Sequence, residues 1–132
     1  VRYVKDAAAS NGQKPLRLSS ALRTEIAERA IEADISRLIS YRVITLQKRG
    51  QIPNYEASMN KLYRSEVSQR LARTGLAVIG MHGGLYRGDP RAPLKARFNH
   101  MYLSSVSGTI AAGTSEVNRN VIATRGLGLP RG

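Results

Sequence analysis

The chain has 132 residues, a length typical of one domain with a modest hydrophobic core. It contains one Phe and no Trp, so that core must be mostly aliphatic, and the lack of cysteine excludes disulfides, Cys-based zinc sites and thiol nucleophiles. The 21 basic residues against 9 acidic ones give a net charge of +12, which favours an anionic partner of some kind.

The distribution of these charges argues against a dedicated nucleic-acid-binding protein. Basic residues are scattered along every segment, and some have acidic neighbours at helical spacing, as in Glu25 with Arg29 and Glu66 with Arg70. No apolar run approaches the roughly 20 residues that are needed to cross a bilayer. We therefore expect a soluble, cytoplasmic protein that binds neither nucleic acid nor membrane.

The first long helix is predicted from Leu22 to about Arg49, because apolar residues recur there at helical spacing. Ser19 or Ser20 is the natural N-cap of this helix. The apolar residues form two rows, Leu22, Ile26, Ala30 and Ala33 on one and Ile31, Ile35, Leu38, Ile39, Val43 and Leu46 on the next.

A second long helix is predicted from about Tyr55 to Ile79. Gly50 and Pro53 end the first helix, and Asn54 is in a position to cap the second. Two helices of roughly 25 residues that are joined by a short turn predict an antiparallel hairpin.

The remainder of the chain predicts a loop over 80–93, a third helix from about Leu94 to Ile110, and a short terminal helix. Val1 to Ala9 reads as the tail of another helix, with Asn11 and Gly12 as its C-terminal stop. No strand pattern and no internal repeat is found. The sequence predicts an all-α protein, an antiparallel helical bundle.

The terminal helix has a clear start and stop. Gly113 permits a tight turn, Thr114 can accept hydrogen bonds from the free amides of the following helix, and Glu116 lies in its first turn, where the helix dipole favours a carboxylate. Gly126 and the residues up to Pro130 then end the helix.

This stretch resembles the C-terminal end of acyl-CoA dehydrogenases, which reads roughly Tyr-Glu-Gly-Thr-Ser-Gln/Glu-Ile-Gln-Arg-Asn-Ile-Ile-Ala and ends a few residues later in Gly-Leu-Pro. Where the family often carries its catalytic glutamate, this chain has Ala112. The residues that fall on the family pattern in register are Gly113, Thr114, Ser115, Glu116, Arg119, Asn120, Ile122 and Ala123.

The resemblance implies the fold and the extent of the domain. It covers nearly all of residues 1–132 and corresponds to the family's C-terminal helical bundle without most of its first helix. The N-terminal helical domain and the middle β domain of the family have no counterpart in the sequence, so we expect a fragment of a longer protein.

The resemblance also implies a function: oxidation of an acyl-CoA thioester by an FAD-dependent oxidoreductase of fatty acid or lipid catabolism. In the family, FAD lies at a subunit interface. Gly113, Thr114 and Glu116 would contact the cofactor from their own subunit, with the helix N-terminus facing its phosphates. The active assembly would be a homo- or hetero-oligomer, a dimer or tetramer.

The contacts that the family makes to FAD from a neighbouring subunit are less well kept. The family's Gln-x-x-Gly-Gly-x-Gly loop corresponds to 77–83, where Gly80 and Gly83 remain and Ala77 replaces the glutamine. Ser20 stands at another glutamine position of the family. Because Ala112 has no proton to exchange, we expect no catalytic residue in this chain, and the fragment alone is expected to be inactive.

Alternatives remain. The family's site residues are replaced at Ser20, Ala77 and Ala112, which also favours a non-catalytic assembly subunit of a two-chain acyl-CoA dehydrogenase-like complex. Ser58 and Lys61 have the Ser-x-x-Lys spacing of some serine hydrolases, but the companion motifs are missing. His82 and His100 are the only histidines and lie too far apart for a convincing metal site, so we expect no metal; His82 is interpreted as a loop residue and His100 as a helix residue.

Overall fold

The computed structural model describes residues 18–131, and the helix tail predicted at 1–9, with its stop at Asn11 and Gly12, lies outside them. Four α-helices follow one another: α1 (Ser20–Lys48), α2 (Tyr55–Ile79), α3 (Arg97–Gly108) and α4 (Ser115–Val121). Short 3-10 segments occupy Gly80–Gly84 and Pro93–Ala96, and a π-helical turn over Ile122–Gly126 continues α4. The described residues contain no strand, which confirms the all-α prediction.

The two long helices begin differently. The Ser19 hydroxyl accepts a hydrogen bond from the Leu22 amide at 3.2 Å, so Ser19 caps α1 as predicted. Asn54 stands at the N-cap position of α2, but its side chain makes no capping hydrogen bond, and the prediction that it caps α2 is wrong in this respect. The Asn54 side-chain oxygen instead accepts a hydrogen bond from Arg125 at 2.8 Å, which ties the start of α2 to the end of the chain.

The predicted hairpin of α1 and α2 is present, and polar side chains bridge the two helices. Arg70 Nε donates to Glu32 at 2.9 Å, and the Thr74 hydroxyl donates to Glu25 at 3.2 Å. Because Glu25 faces Thr74, the expected Glu25–Arg29 pair is replaced: Arg29 pairs with Glu28 and Glu32. The Glu66–Arg70 pair forms at 3.9 Å.

The outer face of α1 is apolar and open. Ile31 and Leu38 are 61% and 62% exposed, and Ile35 between them is 39% exposed. The buried apolar residues of 18–131 lie elsewhere, with Val67 and Ala72 on α2 and Ala96 before α3. The domain therefore gathers its small core around α2.

α3 begins at Arg97, later than the predicted Leu94. Leu94, Lys95 and Ala96 all have φ between 53° and 57°, a left-handed conformation that cannot continue into a right-handed helix. α3 ends at Gly108, two residues before the predicted end, and the chain then turns toward α4.

Candidate functional site

The turn between α3 and α4, residues 109–114, and the first turn of α4 carry the predicted own-subunit contacts to the cofactor and the family's base position. Two successive residues of the 109–114 turn are left-handed: Ala112 has φ 56° and Gly113 has φ 90°. A Cβ at position 113 would lie 3.2 Å from Asn118 Nδ2, so both the backbone angle and the space favour glycine there.

Thr114 caps α4 as predicted, because its hydroxyl oxygen accepts a hydrogen bond from the Val117 amide at 3.3 Å. Glu116 lies exposed in the first turn. Its own backbone amide, the Thr114 hydroxyl, and the charges of Arg119 and Lys61 hold the pKa of the Glu116 carboxyl below its ordinary value. The side chain is therefore an anionic hydrogen-bond acceptor at neutral pH.

Two side chains that the sequence did not single out for this site fix the turn. The ammonium of Lys61 on α2 donates to the carbonyl oxygens of Thr109 and Gly113. Asn118, which is 5% exposed, donates to the carbonyls of Gly113 and Thr114 at 2.9 and 2.8 Å. The local signal that was overlooked is an Asn four residues after Thr114 and five after Gly113, a spacing that lets its amide reach back to the turn.

A salt bridge joins the same helices further along. Arg119 Nη2 lies 2.6 Å from Glu66 Oε1, which connects α4 to α2. Arg125, in the π-helical turn after α4, donates a hydrogen bond to the side chain of Asn54. Arg119 and Arg125 thus both have hydrogen-bond partners other than Glu116.

A cavity of about 520 Å³ opens beside Ala112, between α1, α2, α3 and the turn. Its cations are Lys61 and Arg64, and no Asp or Glu of the described residues lines it. The full lining is Val43, Ala57, Asn60, Lys61, Arg64, Ser65, Ser68, Ser104, Ser105, Gly108, Ala111 and Ala112.

The two predicted groups of cofactor contacts lie at opposite ends of α2. Gly113, Thr114 and Glu116 lie near Lys61, whereas Gly80 follows the C-terminus of α2, roughly 28 Å away at about 1.5 Å of rise per residue. One chain therefore does not bring the two groups together.

The two glycines of the 77–83 loop have different surroundings. Gly80 has φ 68°, and a Cβ there would meet nothing within 4 Å, so this position is open to a ligand. Gly83 is buried, and a Cβ there would lie 3.0 Å from the Leu76 side chain. Packing against Leu76 is thus sufficient to explain the glycine at 83.

The remaining candidates lie apart from the turn. His82 is exposed in the 3-10 segment after α2, and His100 is exposed on α3, as the sequence indicated. Within 18–131 no group of three His, Asp or Glu side chains is arranged to hold a metal ion. None of the helices in this part of the chain is long and apolar enough to cross a membrane. Ser20, which stands at another glutamine position of the family, is the exposed first residue of α1.

The architecture is a helical hairpin followed by α3, a turn and α4, as the family resemblance implied. The sequence profile of the acyl-CoA dehydrogenase C-terminal domain matches residues 1–127, and the chain therefore belongs to the acyl-CoA dehydrogenase family. It is 30% identical over 104 residues to the acyl-CoA dehydrogenase FadE26 of Mycobacterium tuberculosis, a match that covers 76% of this chain and 26% of that protein.

Solved structures agree in fold. A chain of the ChsE4-ChsE5 complex from Mycobacterium tuberculosis superimposes with a TM-score of 0.85 and 26% identity, over 99% of this chain and 35% of that one. A variant of the Tcur3481-Tcur3483 steroid ACAD superimposes with a TM-score of 0.85 and 25% identity, over 99% and 34%. The chain thus spans about a quarter to a third of the length of these relatives.

Proposed function

We propose that this chain is the C-terminal part of an FAD-dependent acyl-CoA dehydrogenase, in which it contributes to FAD binding and to subunit assembly. The parent enzyme would oxidise an acyl-CoA thioester between its α and β carbons. When bound, FAD supplies the hydride acceptor for that reaction. The observation that carries the proposal is the segment 113–116, which combines the family sequence with the Thr114 cap of α4 and with an exposed, anionic Glu116.

The side chains of the turn fit one part of the cofactor better than another. Glu116 is anionic, and Arg119 and Arg125 are engaged with Glu66 and Asn54. Arg119 and Lys61 act on Glu116 only through their charges, and no ion pair to this carboxylate forms within residues 18–131, so it suits N–H and hydroxyl donors, such as those of a flavin ring or a ribityl chain, and repels phosphate. Glu116 and Thr114 would therefore orient the hydroxyl- and amide-bearing parts of FAD.

The position of the glycine loop supports assembly. Gly80 lies roughly 28 Å along α2 from the turn, so a cofactor held at Thr114 would receive its second set of contacts from another chain. Two structural neighbours carry the names of paired chains, ChsE4-ChsE5 and Tcur3481-Tcur3483. We accordingly propose an oligomer, either of this protein alone or with an unlike partner.

Ala112 favours a second candidate function, that of a non-catalytic assembly subunit. The cavity beside Ala112 has no carboxylate among its described lining residues, so this chain offers no general base there. Proton abstraction from the α-carbon would then depend on a carboxylate outside residues 18–131. If the parent assembly has no such group, the chain serves only to complete the fold and part of the cofactor site.

Flavin retention and reduction separate the two functions. The parent protein, purified with any partner chain, is expected to retain stoichiometric flavin whose absorbance bleaches on addition of an acyl-CoA. Retained flavin that no acyl-CoA bleaches would favour the assembly subunit, and an assembly without flavin would contradict the proposed cofactor role. The isolated 132-residue chain is expected to bind no FAD tightly, because one turn supplies too few contacts to offset the cost of ordering and desolvation.

A further inference from the structure

Lys61 occupies an unusual place for a lysine on an amphipathic helix. It is half-buried on α2, and its ammonium donates to two backbone carbonyls that are 48 and 52 residues further along the chain, those of Thr109 and Gly113. The N–O distance to Thr109 is 3.4 Å. These two carbonyls bracket the turn in which Ala112 stands at the family's base position.

The charge of Lys61 suits this place. Thr109 directly follows α3, and the last carbonyls of a helix lack intrahelical partners and carry the negative end of its dipole. An ammonium group has three donors that rotate freely, so a single lysine can serve both Thr109 and Gly113. The Lys61 ammonium therefore supplies hydrogen bonds both to the carbonyl that follows α3, that of Thr109, and to the Gly113 carbonyl at the far side of the turn.

The turn needs such support because of its backbone. Ala112 and Gly113 are both left-handed, and a non-glycine residue in that conformation persists only when its surroundings hold it there. The Gly113 carbonyl is held from two sides, by Lys61 on α2 and by the buried Asn118 on α4. Thr114, the next residue, is thereby fixed in the position from which it caps α4.

We propose that Lys61 is a positioning residue, which holds the turn from Thr109 to Gly113 and so places Thr114 and Glu116 for the cofactor. The effect on the cofactor rests on the proposed function, whereas the effect on the turn does not. Gln69, two turns further along α2, supports the same region by donating to Ser105 O and Thr109 Oγ1, but it does not reach Gly113. Among the described hydrogen bonds, Lys61 is thus the side chain through which α2 reaches Gly113.

The test compares Lys61→Met, which keeps the length of the side chain and removes its donors, with Lys61→Arg, which keeps charge and donors. Arg73→Met, at an exposed basic position on the same helix, is the control. Hydrogen exchange of the backbone amides is measured in the assembled parent enzyme, and the dissociation constant for FAD is measured in the same preparations.

We expect exchange at 110–118 to be about tenfold faster or more in Lys61→Met, with α1 and the second half of α2 unchanged, because a hydrogen bond to a charged group is lost. The dissociation constant for FAD should rise by a similar factor. Lys61→Arg should recover most of both effects, and Arg73→Met should match the wild type.

Three results would overturn the proposal or part of it. Unchanged exchange at 110–118 in Lys61→Met, or exchange that is faster throughout the chain, would show that Lys61 does not hold the turn. Faster exchange at 110–118 with unchanged FAD affinity would show that Lys61 holds the turn but that FAD binding does not depend on Lys61. If the wild-type assembly carries no flavin, the proposed function fails, and exchange alone decides the role of Lys61. If Lys61→Met does not fold, Lys61→Gln, which retains an amide donor, is measured in its place.

Discussion

Phe98 on α3 lies directly against Gly75 on α2. A Cβ at position 75 would be 2.1 Å from Cδ1 of the Phe98 ring, closer than any nonbonded contact allows. Because Gly75 has no side chain, the Phe98 ring can lie against the backbone of α2, and α3 packs closely on α2 there.

Gly75→Ala is therefore expected to destabilise the domain, by about 1–3 kcal/mol, because the methyl group would push the Phe98 ring out of its place. The change is measured as the free energy of unfolding in urea. Gly108→Ala is the control, since a Cβ there meets nothing within 4 Å. We expect Gly108→Ala to leave stability unchanged or raise it by up to about 1 kcal/mol. Equal effects of the two substitutions would mean that α2 and α3 do not pack in this way.

Removal of the cap of α4 should weaken the site without disrupting the long helices. Thr114→Ala loses the acceptor for the Val117 amide and is expected to cost about 1 kcal/mol of unfolding free energy. Thr114→Ser keeps the hydroxyl and should retain most of the stability. In the parent assembly, Thr114→Ala should also bind FAD more weakly than Thr114→Ser; the same affinity in both variants would speak against a contact of this hydroxyl with the cofactor.

Acid should destabilise the domain partly through Glu116. Because the folded state lowers the pKa of this carboxyl below 4.5, the charged form stabilises the fold above pH 4.5, and that contribution is lost as the pH falls through the lower folded-state pKa. The glutamine in Glu116→Gln does not titrate, so this pH-dependent contribution is absent from the variant. The unfolding free energy of Glu116→Gln should therefore fall less steeply than that of the wild type as the pH drops below 4.5.

The measurement is the free energy of unfolding as a function of pH, compared between wild type and Glu116→Gln. The wild-type slope also contains Asp89, whose pKa is lowered chiefly by its hydrogen bond with the Arg91 side chain, and Glu56, whose pKa is lowered chiefly by its own backbone amide. The difference between the two curves isolates Glu116. Parallel curves would show that the folded state does not favour the ionised Glu116.

Ala112→Gly should leave acyl-CoA oxidation by the parent enzyme nearly unchanged, because a methyl group takes no part in proton transfer. Glycine also tolerates the φ of 56° at this position, so the turn should be preserved. Loss of the base that we propose, a carboxylate from outside residues 18–131, should in contrast reduce the rate by about 10²–10⁴-fold. Steady-state kinetics of the two variants give the comparison. A base that mapped to Glu116 instead would mean that the turn is aligned incorrectly with the family.

The sequence predicted the helices well because their limits depend on local signals. Ser19 at the start of α1 and Thr114 at the start of α4 cap their helices as expected. The start of α3 was predicted three residues too early because the three residues before it, none of them glycine, have a left-handed backbone conformation. Local propensity gives no reason for that conformation at Leu94 or Lys95.

The environment of the helices was harder to predict than their existence. The periodic apolar residues of α1 indicated a helix, but Ile31 and Leu38 point outward while Glu32 faces α2. Hydrophobic spacing does not say which side of a helix a neighbour will cover. Lys61 was missed for a related reason, because its partners lie 48 and 52 residues away and are backbone groups that no side-chain pattern marks.

The polar bridges between α1 and α2 determine how far one helix is shifted along the other. A slide by one helical turn, about 5.4 Å, would separate Arg70 from Glu32 and Thr74 from Glu25 and leave these groups without partners in a half-buried seam. Apolar contacts alone would tolerate such a slide far better. The hairpin is thus held at one axial alignment, and because Lys61 lies near the start of α2 and Gly80 directly follows its end, the same bridges fix the heights of the Gly113 turn and of Gly80 relative to α1.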